Sequence, residues 1–179
     1  MAARARRYDP ERRQRIIDAA IRVVGAKGIA GLSHRSVAAE ADVPLGSTTY
    51  HFATLDELLV AALRQANEGH ARGWTPGPGE DLADALARLL GRLLGAGRGR
   101  AELEYELYLA ALRRPALRPV AAEWLESVAT ALAEHTDPVT ARALVAVMDG
   151  ISLQVLLTGR PYEEPYARAV LRRVLGPAG

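Results

Sequence analysis

Residues 33 to 52, SHRSVAAEADVPLGSTTYHF, gather the side chains of this chain best suited to hold a polyanion. Tyr50 offers a hydroxyl and His51 an imidazole N–H to phosphate oxygens, and Arg35 carries a planar fork that matches a phosphate or a guanine edge. Leu45, Ser47, Thr48 and Thr49 are short enough to meet the major groove of a duplex. Ser33, His34, Gly46 and Thr54 complete the candidate DNA-binding set. In this reading Arg35 or His34 and the surface from Leu45 to Thr49 read bases, while Tyr50, His51 and Thr54 clamp phosphates.

A second group has the residue types of a small-molecule pocket. Tyr105, Tyr108, Trp124, Met148 and Gln154 fall on segments that should line the inside of a helical bundle, the two tyrosines about one turn apart. Asp149 interrupts an apolar segment, and a buried carboxylate needs a partner, for which an arginine across a dimer is the candidate.

Catalytic chemistry finds less support. His34, His51, His70 and His135 lack metal-ligand spacing, the chain has no cysteine, and neither an HExxH helix nor a serine elbow is present. Gly95-Ala96-Gly97-Arg98-Gly99 has the look of a phosphate loop, but it follows a leucine-rich helix instead of a strand and lacks the lysine, so it reads as a helix-to-helix turn. No catalytic residue, metal or cofactor is expected. The alternatives are a helical small-molecule enzyme, which turnover of a ligand would reveal, and a sequence-indifferent DNA-binding protein, which would bind without a preferred site and weaken steeply with salt.

The elements that must position these residues are all helices. Apolar residues recur at helical spacing from Pro10 to Gly25, with Asp9 as N-cap and Pro10 at N1. Ser33 caps a short helix to about Glu40, and a second runs from Val43-Pro44 to about Tyr50. A three-residue turn between two such helices has the dimensions of a helix-turn-helix, with Ala38 and Ala41 small enough for close approach. Thr54 and Glu57 have capping-box spacing and open a helix that ends near Gly69 to Gly73. Thr75-Pro76-Gly77-Pro78-Gly79 cannot continue a helix and marks a boundary. Beyond it single apolar stripes run through Leu82 to Leu94 and Leu117 to Leu132, and Glu102 to Arg113 suits a central helix. Val139 to Thr158 is apolar almost all round, so it and the helix near 163–175 are expected to form a dimer seam.

The expected fold is therefore all-α, an N-terminal three-helix helix-turn-helix domain followed by a C-terminal helical bundle, about nine helices in all, homodimeric. Residues 1–53 are the DNA-binding domain with a basic arm, 54–79 the connecting helix and linker, and 80–179 the ligand-binding and dimerisation domain. Residues 1–15 hold six arginines against Asp9 and Glu11, a charge of +4 that leaves the other 164 residues at −2 of the chain's +2. A basic arm on a near-neutral body suits a polyanion partner. That arm has no apolar core of a signal peptide, and the run from Ala141 to Leu157 is read as too short to span a bilayer. No membrane association is expected, and the absence of cysteine suits a reducing cytoplasm.

Arg13 to Leu59 resembles the N-terminal DNA-binding domain of the tetracycline-repressor (TetR) family of bacterial regulators. The resemblance rests on Ile16-Ile17-Asp18-Ala19-Ala20, Gly28, Leu32-Ser33, Val37-Ala38, Ala41-Asp42-Val43, Gly46-Ser47, Tyr50-His51-Phe52 and Glu57-Leu58-Leu59. Asp42 stands where the family has glycine, Thr49 where it has an aromatic, and Leu55 where it has a phosphate-contacting lysine; Arg4, Arg6 and Arg7 are the candidate replacement for that contact. The resemblance implies a homodimeric repressor that binds a near-palindromic operator and is released by an unidentified small-molecule effector, with the helix from Thr54 to about Gly69 as the moving lever.

Overall fold

A computed structural model of the chain describes residues 11–71, 76–77 and 79–176. Its residues cluster into two compact units, 1–62 and 63–179. Nine α-helices and no strand are found among the described residues.

In the first unit, α1 (Arg12–Lys27) buries Ile16, Ile17, Ala19, Ala20, Val23 and Val24 along one side. The helix passes through Gly25 and stops at Gly28, whose φ of 68° and ψ of 174° suit a residue without Cβ. Asp9 and Pro10, expected to start this helix, lie outside the described residues, as do Arg4, Arg6 and Arg7 of the basic arm; Glu11 holds the N-cap position. Ser33 caps α2 (His34–Glu40) as expected: its hydroxyl accepts from the Ser36 N–H at 3.0 Å while its own N–H donates to Ser36 Oγ at 2.8 Å.

The turn after α2 is a Schellman closure. The N–H of Val43 reaches the carbonyl of Ala38 at 3.0 Å and that of Asp42 the carbonyl of Ala39 at 3.4 Å, which requires a left-handed residue between them. Asp42 takes that place with φ 51°, the only non-glycine residue at positive φ among those described. α3 follows at Leu45–His51 with Pro44 at its N-cap, one residue outside the first-turn position expected for it. Phe52, Leu58, Leu59 and Ala62 are buried, as are Val37 and Ala38.

α4 (Leu55–Ala71) has residues 55–62 in the first unit and 63–71 in the second. At its start the Glu57 N–H donates to Thr54 Oγ1 at 3.1 Å, and Glu57 Oε2 reaches back to the N–H of Ala53 at 2.8 Å. The capping pair is therefore present, displaced one residue from the usual backbone donor. Of the 75–79 boundary, residues 75 and 78 lie outside the described residues, as does the 72–73 end expected for α4.

The second unit is a bundle of α5 (Leu82–Leu94), α6 (Arg98–Ala110), α7 (Arg118–Ala133), α8 (Pro138–Thr158) and α9 (Glu164–Leu175). α5 packs along α9, and α8 lies against α5, α7 and α9. The core is built from Leu86, Leu90, Leu132, Leu144, Ile151 and Leu171. α6 begins four residues before its expected start, at Arg98, where Arg98–Glu102 and Arg100–Glu104 ion pairs at i, i+4 support the first turns despite Gly99.

α8 corrects the expectation that its apolar run is too short to cross a membrane. Capped by Asp137, whose carboxylate accepts from the N–H groups of Val139 and Thr140, it runs for 21 residues, long and apolar enough by length and composition to span a bilayer. It carries Arg142 and Asp149, however, and packs against α5, α6, α7 and α9 of the bundle.

Candidate functional site

The helix-turn-helix sorts its expected DNA contacts by exposure. Arg35, Leu45, Gly46, Thr49, Tyr50 and Thr54 are exposed, with Tyr50 84% accessible, and Ser33, His34, Ser47 and His51 are half-buried. Thr48 is not on this surface. It is fully buried and its hydroxyl donates to the Leu45 carbonyl at 2.7 Å, so it serves the core and cannot reach a groove. The reason is its place one turn before buried Phe52 on the same helix face. Ser33 is occupied by its cap.

The remaining residues stay at least partly accessible on α2, α3 and the residues that follow. Tyr50 and His51 stack edge to face with ring centroids 5.1 Å apart, which limits how either ring can turn. Arg13 of α1 lies over Phe52 at 4.9 Å, and Arg22 of α1 pairs with Glu40 at 2.6 Å. These contacts hold α2 and α3 against α1, so the face is presented by a rigid three-helix support. His34 adds a buried Nδ1 with no hydrogen-bond partner among the described residues.

In the second unit a cavity of about 230 Å³ lies between α5, α6, α7 and α8. Leucines 86, 89, 90 and 93, Val128, Val145 and Met148 give it apolar walls. Tyr105, Tyr108, Trp124, Met148 and Asp149 all line it, which brings five of the six sequence candidates together. Gln154 does not. It is exposed on α8, about 140° around the helix from Asp149. The polar lining that sequence reasoning missed is Asn67, Glu104, Ser127 and Ser152. Ser152 sits one turn after Asp149 and was legible by the same rule, a polar residue interrupting an apolar helix. Glu104 was hidden because its i, i+4 pair with Arg100 has the pattern of an ordinary solvated face.

The chemistry of the cavity centres on one carboxylate. Tyr105 donates its hydroxyl proton to Asp149 Oδ1 at 2.9 Å, and no lysine or arginine pairs with Asp149 among the described residues. Burial raises the Asp149 pKa, the Tyr105 hydrogen bond pulling the other way. Tyr105 is itself pushed far up, first by burial and then by the carboxylate beside it, and Tyr108 is raised by the same two causes. The two phenol rings meet edge to face at 6.4 Å. A second, more open groove of about 310 Å³ lies on the far side of Tyr108, Leu125, Val145 and Asp149, rimmed by the Arg142–Glu126 pair. Asp149 therefore faces both spaces. An apolar, aromatic chamber with one uncompensated carboxylate is a site for an apolar cation.

Comparison with known proteins gives a consistent picture. Residues 16–62 match the family model for bacterial regulatory proteins of the tetR family, and residues 77–177 match the tetracyclin repressor-like C-terminal domain. The nicotine-responsive transcriptional repressor HdnoR of Paenarthrobacter nicotinovorans is 31% identical over 80% of this chain and 83% of its own length. Crystal structures of the multidrug binding protein EbrR are also similar. The complex with ethidium is 72% identical, covers 93% of this chain and 99% of that one, and has a TM-score of 0.87. The complex with malachite green has the same identity and coverage with a TM-score of 0.82.

Proposed function

Since the chain belongs to the tetracycline-repressor family and is a ligand-responsive transcriptional repressor, we propose that its effector is an aromatic cation bound in the α5–α8 cavity with Asp149 as countercharge. Regulators of this family bind operator DNA as dimers and respond to small molecules. The observation that carries the proposal is the half-buried Asp149 carboxylate, held by a tyrosine hydroxyl instead of a cation inside an aromatic chamber. Tyr105, Tyr108 and Trp124 supply ring faces and edges for a planar or propeller-shaped cation, and the negative faces of such rings attract positive charge. The similarity to a protein crystallised with ethidium and with malachite green supports the same ligand class.

On the DNA side, Arg35, Leu45, Gly46, Thr49 and Tyr50 form the reading face, with His51 and Thr54 at its edge as phosphate contacts. The dimer forms through α8 and α9. α8 leaves a stripe of Val139, Ala143, Ala146, Gly150, Leu153 and Leu157 at helical spacing, with Val139 and Leu157 about four-fifths exposed. Effector binding must favour one state of the dimer over another to release the operator, since a ligand with equal affinity for both shifts nothing.

The direct test is titration of malachite green into the wild-type protein and Asp149→Asn, followed by the dye's absorption. At least a tenfold loss of affinity in the variant, about 1.4 kcal/mol, is expected. Equal affinity in the two proteins would remove Asp149 as countercharge and with it the proposed ligand class.

A further inference from the structure

The cavity carries a second acidic side chain whose hydrogen bonds lead out of it. Glu104 lines the chamber and its carboxylate accepts from Arg100 Nε at 2.8 Å. The same guanidinium, through Nη2, donates to the backbone carbonyl of Ala66 on α4 at 3.4 Å. One planar fork therefore ties a wall of the cavity to the middle of α4, all within the second unit. Leu63 and Ala66 of α4 are themselves buried. Its Arg64–Glu123 pair, at 3.7 Å, is between two exposed side chains. Asn67, next to the gripped carbonyl, also lines the cavity.

We infer that Glu104 senses the effector's positive charge and that Arg100 passes it to α4 by loosening its hold on the Ala66 carbonyl. The inference rests on the cationic ligand class proposed above. A cation seated beside Glu104 competes with Arg100 for the same carboxylate and repels the guanidinium, whose charge cannot be lost by deprotonation. Arg100 is fixed by two arms. When Glu104 turns to the ligand, the orientation that aims Nη2 at Ala66 is lost, because an unpaired arginine recovers its rotamer freedom. The hydrogen bond to Ala66 joins the cavity wall to α4, so its loss changes the balance of forces on that helix. A ligand's charge becomes a force on α4, which continues into residues 55–62 of the first unit. Arg100 is a positioning residue in this scheme, and Glu104 touches the ligand.

The experiment measures the coupling between malachite green and an operator duplex selected from random DNA, as the ratio of dye affinities with and without the duplex, corrected with protein-free duplex. In the wild-type protein the duplex should weaken dye binding by a factor within the usual allosteric range of about 5 to 150. Arg100→Ala and Arg100→Lys should each cut that factor at least fivefold, and Arg100→Ala, which frees Glu104 and removes a repelling charge, should bind dye without DNA at least as tightly as wild type. Lysine keeps the charge but not the fork, so its failure to restore coupling separates geometry from electrostatics. Glu104→Gln should lower dye affinity at least fivefold, with circular dichroism and thermal melting confirming a folded protein. Full coupling in both Arg100 variants, or unchanged dye affinity in Glu104→Gln, overturns the inference. If malachite green fails to bind the wild-type protein, the proposed ligand class fails first and this mechanism falls with it.

Discussion

Burial raises the pKa of Asp149, so the charged form that a cation needs is the form the fold disfavours. A carboxyl whose folded pKa exceeds its unfolded value contributes stability that is complete below the unfolded pKa, about 3.9, and is lost as pH rises through the folded pKa. At neutral pH the ionised group therefore weakens the fold. Asp149→Asn, which keeps an acceptor for Tyr105, should melt higher than wild type at pH 7, and the gap should narrow as the buffer is made acidic. Dye affinity of the wild type should fall over the same acid range, as the carboxyl takes up its proton. Asp42 makes a separate demand on the turn. Its φ of 51° is tolerated by aspartate and resisted by β-branched residues, so Asp42→Val should cost about 1–2 kcal/mol in urea unfolding. Asp149 was visible in the sequence because it interrupts an apolar run, and Asp42 because it stands where the resembled family has glycine. Thr48 and Thr49 were not separable that way: a seven-residue helix is too short to show which threonine faces in, and only the buried Phe52 one turn on decides it.

Helix α9 is pinned to the start of α5 by a network instead of by apolar contact alone. Asp84 on α5 pairs with Arg168 at 2.6 Å and with Arg172 at 3.1 Å, and Glu164 and Asp81 each hold one of the same arginines. These side chains are about one-third to one-half exposed, so solvent screens them and the network is worth little per pair. Asp84→Ala, which removes the shared acceptor, should cost about 1 kcal/mol in thermal unfolding at low salt and less at high salt. The loop before α9 is fixed differently. Tyr162 donates to the Ala87 carbonyl, and a Cβ at Gly91 would come within 3.1 Å of its ring. Gly91→Ala should displace the ring, and the Tyr162 pKa, pushed up to about 12 by burial, should return toward its ordinary value of 10.0 in a tyrosinate absorbance titration. That these segments are helices was legible from their stripes of leucine and alanine. Their ends were less so, since the start of α6 depends on ion pairs that outweigh a glycine, and the reach of α8 depends on Asp137 and Pro138 ahead of its apolar run.

Two-fold assembly connects the exposed stripe of α8 to operator reading. A dimer that engages two half-sites binds the second from a high effective concentration, which raises affinity about 10²–10⁴-fold without any new contact at either half. The stripe is apolar at its ends, Val139 and Leu157, and small in its middle, Ala143, Ala146 and Gly150. A Cβ added at Gly150 would touch nothing within this chain, so substitution there leaves the subunit's own packing alone. Gly150→Arg combined with Leu157→Glu should therefore give a folded monomer by sedimentation at micromolar concentration. That monomer should lose about 10²–10⁴-fold in affinity for a palindromic operator whose half-sites lie about 34 to 36 Å apart, or a multiple of that. Binding to an isolated half-site should be unchanged within about threefold, because α2 and α3 rest on α1. A variant that remains dimeric would place the seam elsewhere. A monomer with full operator affinity would mean that one helix-turn-helix suffices and that symmetry plays no part in recognition.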